Sequence, residues 1–306
     1  MILCCGEALI DFLPREGKDG SAVFQPFSGG SVYNTAIALG RLGTKTGLFA
    51  GVSTDFFGDQ LLDGLKASRV DTRYCRKKEN PTTLAFVKLS KGHARYSFVD
   101  EGSAGRSLAT KDLPRLPAEL KALHFGSISL IPEPCGTTYE TLMMRASKNK
   151  VISLDPNIRA GLIKDRRQHL VRLYRMIEVA DIVKISDEDV VWMTRRNDLA
   201  SAARRWLKVG AQIVVITRGG KGASVFTRRF SFDAEAPKVK VADTVGAGDT
   251  FTAGFLHHLE SAKKLSKKAL GEISESSLRD AATFAMRAAA VTVSRPGADP
   301  PWAREM

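Results

Sequence analysis

Asp243-Thr244-Val245-Gly246-Ala247-Gly248-Asp249-Thr250-Phe251 is a glycine-rich turn that runs directly into an apolar, helix-compatible segment holding Phe251, Ala253, Gly254, Phe255 and Leu256. Backbone N–H groups at a helix start lack intrahelical partners, and the helix dipole favours an anion there. Gly246, Ala247 and Gly248 carry little or no side chain, so a phosphate has room to approach the backbone. Asp249 adds a carboxylate at the junction. An anion cradle beside an aspartate suits phosphoryl transfer, which needs somewhere to hold developing charge and a base for the incoming hydroxyl. The same residues also suit an ordinary Gly-x-Gly-Asp loop whose carboxylate caps a helix, so the rest of the chain has to decide.

The chain has 306 residues, 43% of them hydrophobic, enough for one large domain with an appendage or for two domains. No apolar run approaches a membrane span. Met1 to Leu9 has no basic stretch and meets Glu7 and Asp11 almost at once, which argues against a signal peptide. The four cysteines, Cys4, Cys5, Cys75 and Cys135, show no metal-ligand spacing and are expected as reduced thiols in a cytoplasmic protein. The net charge of +13 raises nucleic acid as a partner. Yet the basic residues come in short scattered groups, such as Arg166-Arg167, Arg204-Arg205 and Lys267-Lys268, without interleaved aromatics or a recognition motif. We read them as a solvated surface with some attraction for polyanions such as ATP.

Short apolar runs alternate with longer helical patterns. The expected strands are 2–5, 46–52, 122–125, 151–154, 182–185, 213–217 and 223–227. The expected helices are 32–42, 58–68, 139–149, 166–179, 186–194, 199–209, 250–261 and 277–292. This alternation predicts an α/β fold, βαβ units on a mainly parallel, doubly wound sheet. Segments 11–28 and 82–99 break the rhythm: they alternate like antiparallel strands around turn signals at Arg15–Gly20 and Lys91-Gly92-His93. They predict a small β-sheet lid growing out of a single domain spanning residues 1–306.

Ligands of open α/β sheets bind at the carboxyl ends of strands, and several polar stretches fall there. Asp11, in Gly6-Glu7-Ala8-Leu9-Ile10-Asp11, is placed to accept from sugar hydroxyls or merely to turn the chain. Ser28-Gly29-Gly30-Ser31-Val32-Tyr33-Asn34 offers paired glycines and an amide that both donates and accepts, or a tight turn. Asp155-Pro156-Asn157-Ile158-Arg159 ends a strand with a planar cation suited to hydroxyls or phosphates. Thr217-Arg218-Gly219-Gly220-Lys221-Gly222 fits a phosphate or ribose cradle, and equally a hairpin turn. Neither the dinucleotide Gly-x-Gly-x-x-Gly after the first strand nor a P-loop Gly-x-x-x-x-Gly-Lys-Ser/Thr is present.

Taken together and in this order, these pieces resemble the ribokinase/PfkB-type carbohydrate kinases over essentially the full length. The stretches at 6–11, Phe125-Gly126-Ser127-Ile128-Ser129-Leu130, 155–159 and Val183-Lys184-Ile185-Ser186-Asp187-Glu188 look most like the bacterial fructokinase branch. The resemblance implies a three-layer α/β/α core with a β-lid over the sugar, and an ATP-dependent kinase. It makes Asp249 the general base, with the N–H groups of Gly246, Ala247, Gly248 and Asp249 as the anion hole. It assigns Asp11, Gly29, Gly30, Asn34, Phe98 and Arg159 to the sugar, and Lys184, Thr217, Gly219 and Gly222 to the nucleotide, with helix 281–290 as part of the adenine wall. Mg2+ accompanies ATP in such enzymes. Relatives often bind a monovalent cation, K+, through carbonyls matching Asp243, Val245 and the loop around Gly297. Where relatives carry Asn-x-x-Glu to organise the magnesium and its waters, this chain has Ser186-Asp187-Glu188-Asp189, so Asp189 or Glu188 stands in through water.

Kinases for 2-keto-3-deoxygluconate are also similar, but they usually present a lid arginine to the substrate carboxylate, and Asp100 aligns there. An aspartate repels a carboxylate in a partly desolvated site. The expectation is therefore phosphorylation of D-fructose at O6, with the acid sugar or another sugar of the family as the alternative. A non-catalytic sugar-binding regulator is a second alternative. The expected partners are a small sugar and ATP, with neither nucleic acid nor membrane; relatives' lids either pair into a homodimer or stay monomeric.

Overall fold

The computed structural model describes residues 1–17, 19–90 and 93–306. Parts of the two expected lid turns, at Lys18 and at Lys91-Gly92, lie outside the described residues. A nine-stranded sheet forms the centre. Its parallel part consists of β1 (Ile2–Cys5), β4 (Thr46–Phe49), β6 (Val70–Asp71), β10 (Ala122–Gly126), β11 (Val151–Asp155), β12 (Ile182–Ser186) and β13 (Ile213–Thr217). At one edge β14 (Ala223–Phe226) and β15 (Ser231–Ala234) add antiparallel strands, giving the order β15-β14-β13-β12-β11-β10-β1-β4-β6. Strand order reverses about β1, which lies between β10 and β4.

Side-chain alternation along these strands builds two cores, one on each face. Ile2, Cys4, Leu48, Ile213 and Val215 pack with α1 (Ser31–Arg41), α2 (Phe56–Ala67), α7 (Ala247–Ser261), α8 (Lys267–Gly271) and α9 (Glu275–Val293). Leu3, Cys5, Leu123, Ile152, Val214 and Ile216 pack with α3 (Cys135–Ala146), α4 (Arg166–Val179), α5 (Asp187–Thr194) and α6 (Leu199–Val209). The result is the three-layer α/β/α arrangement. Cys4 and Cys5 face opposite layers, and all four cysteines are free. Among the described residues, no helix is long and apolar enough to cross a membrane.

A second sheet of four strands, in the order β3-β2-β8-β9, is made by β2 (Leu9–Glu16), β3 (Ala22–Gly29), β8 (Leu84–Ser90) and β9 (His93–Val99). It is tied to the core by β2, which leaves directly from the loop after β1, and by β3, which runs straight into α1. The expected strand 46–52 divides: β4 ends at Phe49, and β5 (Gly51–Ser53) pairs instead with β7 (Arg76–Lys78). Several helices begin earlier than apolar periodicity indicates, set by polar caps: Ser274 caps α9 and Asp55 caps α2, the latter accepting from Gly58 N at 2.8 Å.

The end of β1 is held from below by Tyr139, 1% exposed on α3, whose hydroxyl donates to Gly6 O (3.0 Å) and Phe49 O (3.3 Å). Tyr139→Phe leaves the Gly6 carbonyl short of a donor, while Phe49 O keeps Gly6 N at 3.2 Å. Urea unfolding is expected to show a loss of about 1–2 kcal/mol; an unchanged midpoint would mean the Gly6 carbonyl is satisfied otherwise.

Candidate active site

The carboxyl ends of the parallel strands finish almost level. Gly126 of β10 sits opposite Asp155 of β11, and Ser186 of β12 opposite Thr217 of β13. Facing them is the start of α7. Gly246 precedes the helix with a left-handed φ of 76°, and a Cβ there would stand 2.7 Å from Ala298 Cβ, so only glycine fits. No side chain caps this helix. Ala247 N turns back to Thr244 O at 3.3 Å, whereas the N–H groups of Gly246, Gly248 and Asp249 donate to no other group among the described residues.

Asp249, 8% exposed, lies in that first turn. Its Oδ1 accepts from Ser31 Oγ at 2.6 Å and its Oδ2 from Asn34 Nδ2 at 2.9 Å. Both donors sit on α1, brought across by packing of α1 on α7. Burial pushes the Asp249 carboxyl above the usual range, while the Ser31 and Asn34 donors and then Lys184 pull it down.

Further charged groups surround it. Lys184 Nζ pairs with Asp155 Oδ2 at 2.7 Å, both buried, and stands 3.0 Å from where a Cβ on Gly248 would be. Asp155 Oδ1 and Glu7 Oε2 are buried with no hydrogen-bond partner among the described residues. Asp11 lies against Gly29, where a Cβ would come within 2.1 Å of Asp11 Oδ2; this close approach explains the first glycine of the pair. Burial holds the Asp11 carboxyl up, at about 7, against the attraction of Arg159. Gly30, the residue before α1, has a φ of 102°.

The structure thus brings Asp249, Gly246, Ala247, Gly248, Asn34, Gly30, Gly29, Asp11, Arg159 and Lys184 to one end of the sheet. Other expected residues stand apart. Phe98 packs on Leu9, Ala85 and Ile128 and lines a cavity of about 320 Å³ with Asp100, Arg106 and His169, whose walls include neither Asp249 nor Asp11. Thr217, Gly219 and Gly222 lie one strand beyond β12, where residues 218–222 close the antiparallel β13–β14 pair; of the two readings of this loop, the hairpin describes its geometry. Asp243 clamps its surroundings, accepting from Val245 N and Gly297 N, both at 3.0 Å. Glu188 is exposed on α5, whereas Asp189 is half-buried, accepts from Ile158 N at 3.2 Å, and is pushed up to about 6 by burial and then by Asp155.

Sequence reasoning did not single out Ser31 or Asn157. Asn157 Nδ2 donates to Ser31 Oγ at 2.6 Å, and Arg159 NH1 reaches Asn157 Oδ1 at 2.6 Å. The only signal was that both sit inside motifs already noticed.

Residues 1–304 match the pfkB family carbohydrate kinase description. The chain belongs to the pfkB family of carbohydrate kinases. It is 51% identical over 280 residues to a fructokinase of Rhizobium leguminosarum bv. trifolii, covering 92% of this chain and 86% of that one. The crystal structure of the fructokinase of Xylella fastidiosa with bound ATP superimposes with a TM-score of 0.88 at 27% identity, covering 97% of this chain and 93% of that one. The fructokinase of Vibrio cholerae O395 in its fructose, ADP and calcium ion bound form gives 0.85 at 25%, covering 97% and 94%.

In this pfkB family member the raised Asp11 has a consequence for stability. A carboxyl whose pKa lies higher in the folded protein than its ordinary 3.8 destabilises the fold as pH rises from about 4 through about 7. Asp11→Asn is therefore expected to be more stable than the parent above pH 7, by on the order of 1 kcal/mol, with the gap closing toward pH 4. Thermal unfolding of both proteins across that range checks it; a gap independent of pH would refute it.

Proposed function

We propose that this chain transfers the terminal phosphoryl group of ATP to O6 of D-fructose. The observation that carries the reading is a buried carboxylate, Asp249, held by Ser31 and Asn34 in the first turn of a helix with uncapped amides. Asp249 takes the proton from the primary hydroxyl as its oxygen attacks. The N–H groups of Gly246, Gly248 and Asp249, with Ala247 N turned back into the loop, hold charge on the transferring group. Lys184, beside Gly248, adds a cation there. Asp11 and the Gly29-Gly30 backbone hold sugar hydroxyls, with Arg159 behind Asp11 and Phe98 supplied by β9 of the four-stranded sheet that forms the lid. Thr217, Gly219 and Gly222 flank the nucleotide.

The residues present fit a magnesium nucleotide. Asp155 Oδ1, buried with no hydrogen-bond partner among the described residues, is an open acceptor for the waters of an ion held mostly by phosphates and water. When bound, Mg2+ neutralises phosphate charge. Half-buried Asp189 fits the role of water-holding carboxylate better than exposed Glu188. Both oxygens of Asp243 are spent on amides, so a K+ here would be held by carbonyls such as those of Asp243 and Val245. The free cysteines suit a reducing, cytoplasmic setting.

One observation favours an acid sugar instead: Arg106 shares the cavity of Phe98. Against it, Asp100 lines the same cavity, with Oδ1 accepting from Thr83 and Ser103. ADP release over fructose, 2-keto-3-deoxygluconate, ribose, mannose, glucose and adenosine, with Mg2+ and K+ present, separates these. Fructose is expected to dominate; stronger turnover of the acid sugar would overturn the substrate assignment. Asp249→Asn is expected to lower kcat by about 10³-fold or more while fructose still binds. Fructose binding without turnover in the parent would favour a regulator.

A further inference from the structure

We propose that Ser31 is a positioning residue for Asp249, oriented by a one-directional chain of hydrogen bonds that starts at Arg159 and passes through Asn157. The inference rests on the reading of Asp249 as the base.

The direction of every bond follows from donor chemistry. A guanidinium only donates. Arg159 NH1, 2.6 Å from Asn157 Oδ1, therefore turns the amide oxygen toward itself and the amide nitrogen away. Asn157 holds a left-handed φ of 41°, which asparagine tolerates better than most residues, and this carries its Nδ2 to Ser31 Oγ at 2.6 Å. Ser31 Oγ is then an acceptor on that side, so its single proton points to Asp249 Oδ1, 2.6 Å away. On the other side Asn34 Nδ2 donates to Oδ2 at 2.9 Å. Both carboxylate oxygens meet donors. Hydrogen bonds donated to a carboxyl are stronger when it is ionised, so the two donors favour the ionised form.

The surroundings make those donors necessary. Lys184 on β12 favours the carboxylate, but Asp155 on β11, Asp11 on β2 and Glu7 after β1 all oppose it, as does burial. Ser31 and Asp249 are each 8% exposed, so water cannot readily replace a lost donor. Ser31 also fixes which lone pairs remain for an incoming hydroxyl: one position on each oxygen is taken.

The test is the acid limb of kcat/KM for fructose at saturating ATP, measured for the parent, Ser31→Ala, Ser31→Thr, Asn157→Asp and Asp249→Asn. Ser31→Ala is expected to move the limb up by about one pH unit, because removing a donor to the charged form raises a carboxyl pKa. At neutral pH its kcat should fall about 10-fold, with KM for ATP unchanged. Ser31→Thr, which keeps the hydroxyl, should restore the parental profile. Asn157→Asp should shift the limb the same way as Ser31→Ala: an aspartate there can accept from Ser31 but not donate, so it draws the proton away from Asp249. A merely structural role would change rate or stability and leave the shape of the profile alone; superimposable limbs for Ser31→Ala and the parent would overturn the inference. If Ser31→Ala does not fold, Ser31→Gly, which also removes the hydroxyl and adds no charge, decides by the same criterion. An inactive Asp249→Asn beside unshifted limbs sinks this inference only, whereas a fully active Asp249→Asn sinks the base reading and this inference with it.

Discussion

Five carboxylates, those of Glu7, Asp11, Asp155, Asp189 and Asp249, converge on one end of the sheet, and the architecture around them answers that crowding. Burial raises Glu7, Asp11, Asp189 and Asp249 above their ordinary range, and each also feels another acid of the group. Lys184 and Arg159 are the cations that act on them. The remaining compensation comes from dipoles: Ser31 and Asn34 on Asp249, Val32 N on Glu7, Ile158 N on Asp189. Such clustering is poor for stability and is the usual mark of a site tuned for chemistry.

The opposite end of the same sheet shows what an acid looks like when structure alone decides. Asp181, just before β12, accepts from Ile152 N (2.9 Å), Gln212 Nε2 (2.8 Å) and Lys267 Nζ (2.6 Å), stapling neighbouring strand starts. Both oxygens of that carboxylate are used. At the functional end, by contrast, Asp155 Oδ1 and Glu7 Oε2 are buried without hydrogen-bond partners among the described residues. Two aspartates at opposite ends of adjacent strands thus serve different purposes, and hydrogen-bond satisfaction separates them more clearly than burial does.

Local patterns made much of the fold readable. The strands Ile2–Cys5 and Ile213–Thr217 and the helices Arg166–Val179 and Leu199–Val209 stand where their apolar spacing puts them. The division at Ala50 was invisible, because Thr46 to Val52 is continuously apolar or small and only the partner strand decides which half pairs with what. The same holds for Arg76–Lys78, a charged strand defined wholly by its neighbour. In the site, Asp249 and the glycine turn were legible because their chemistry is local. Ser31 was not, since its partner lies 218 residues away, and nothing in a helix-start serine distinguishes a link to a distant carboxylate from an ordinary cap. Asn34 was read as a sugar ligand, and its amide nitrogen is engaged with Asp249; the residue was found and its partner was not.

The chain as a whole carries +13 while the groups at this end are mainly acidic. The two facts act at different ranges. Surface charges spaced along the molecule set a diffuse field that salt screens within about 8–10 Å at physiological ionic strength. Such a field can draw a nucleotide toward the protein, but it cannot settle the ionisation of a carboxylate that is 8% exposed. That is decided by what lies within hydrogen-bond distance and by the few charges in the same desolvated space. Composition therefore says little about this site, and the donor directions around Asp249 say most: two bonds, from Ser31 and Asn34, offset burial together with the attraction of Lys184.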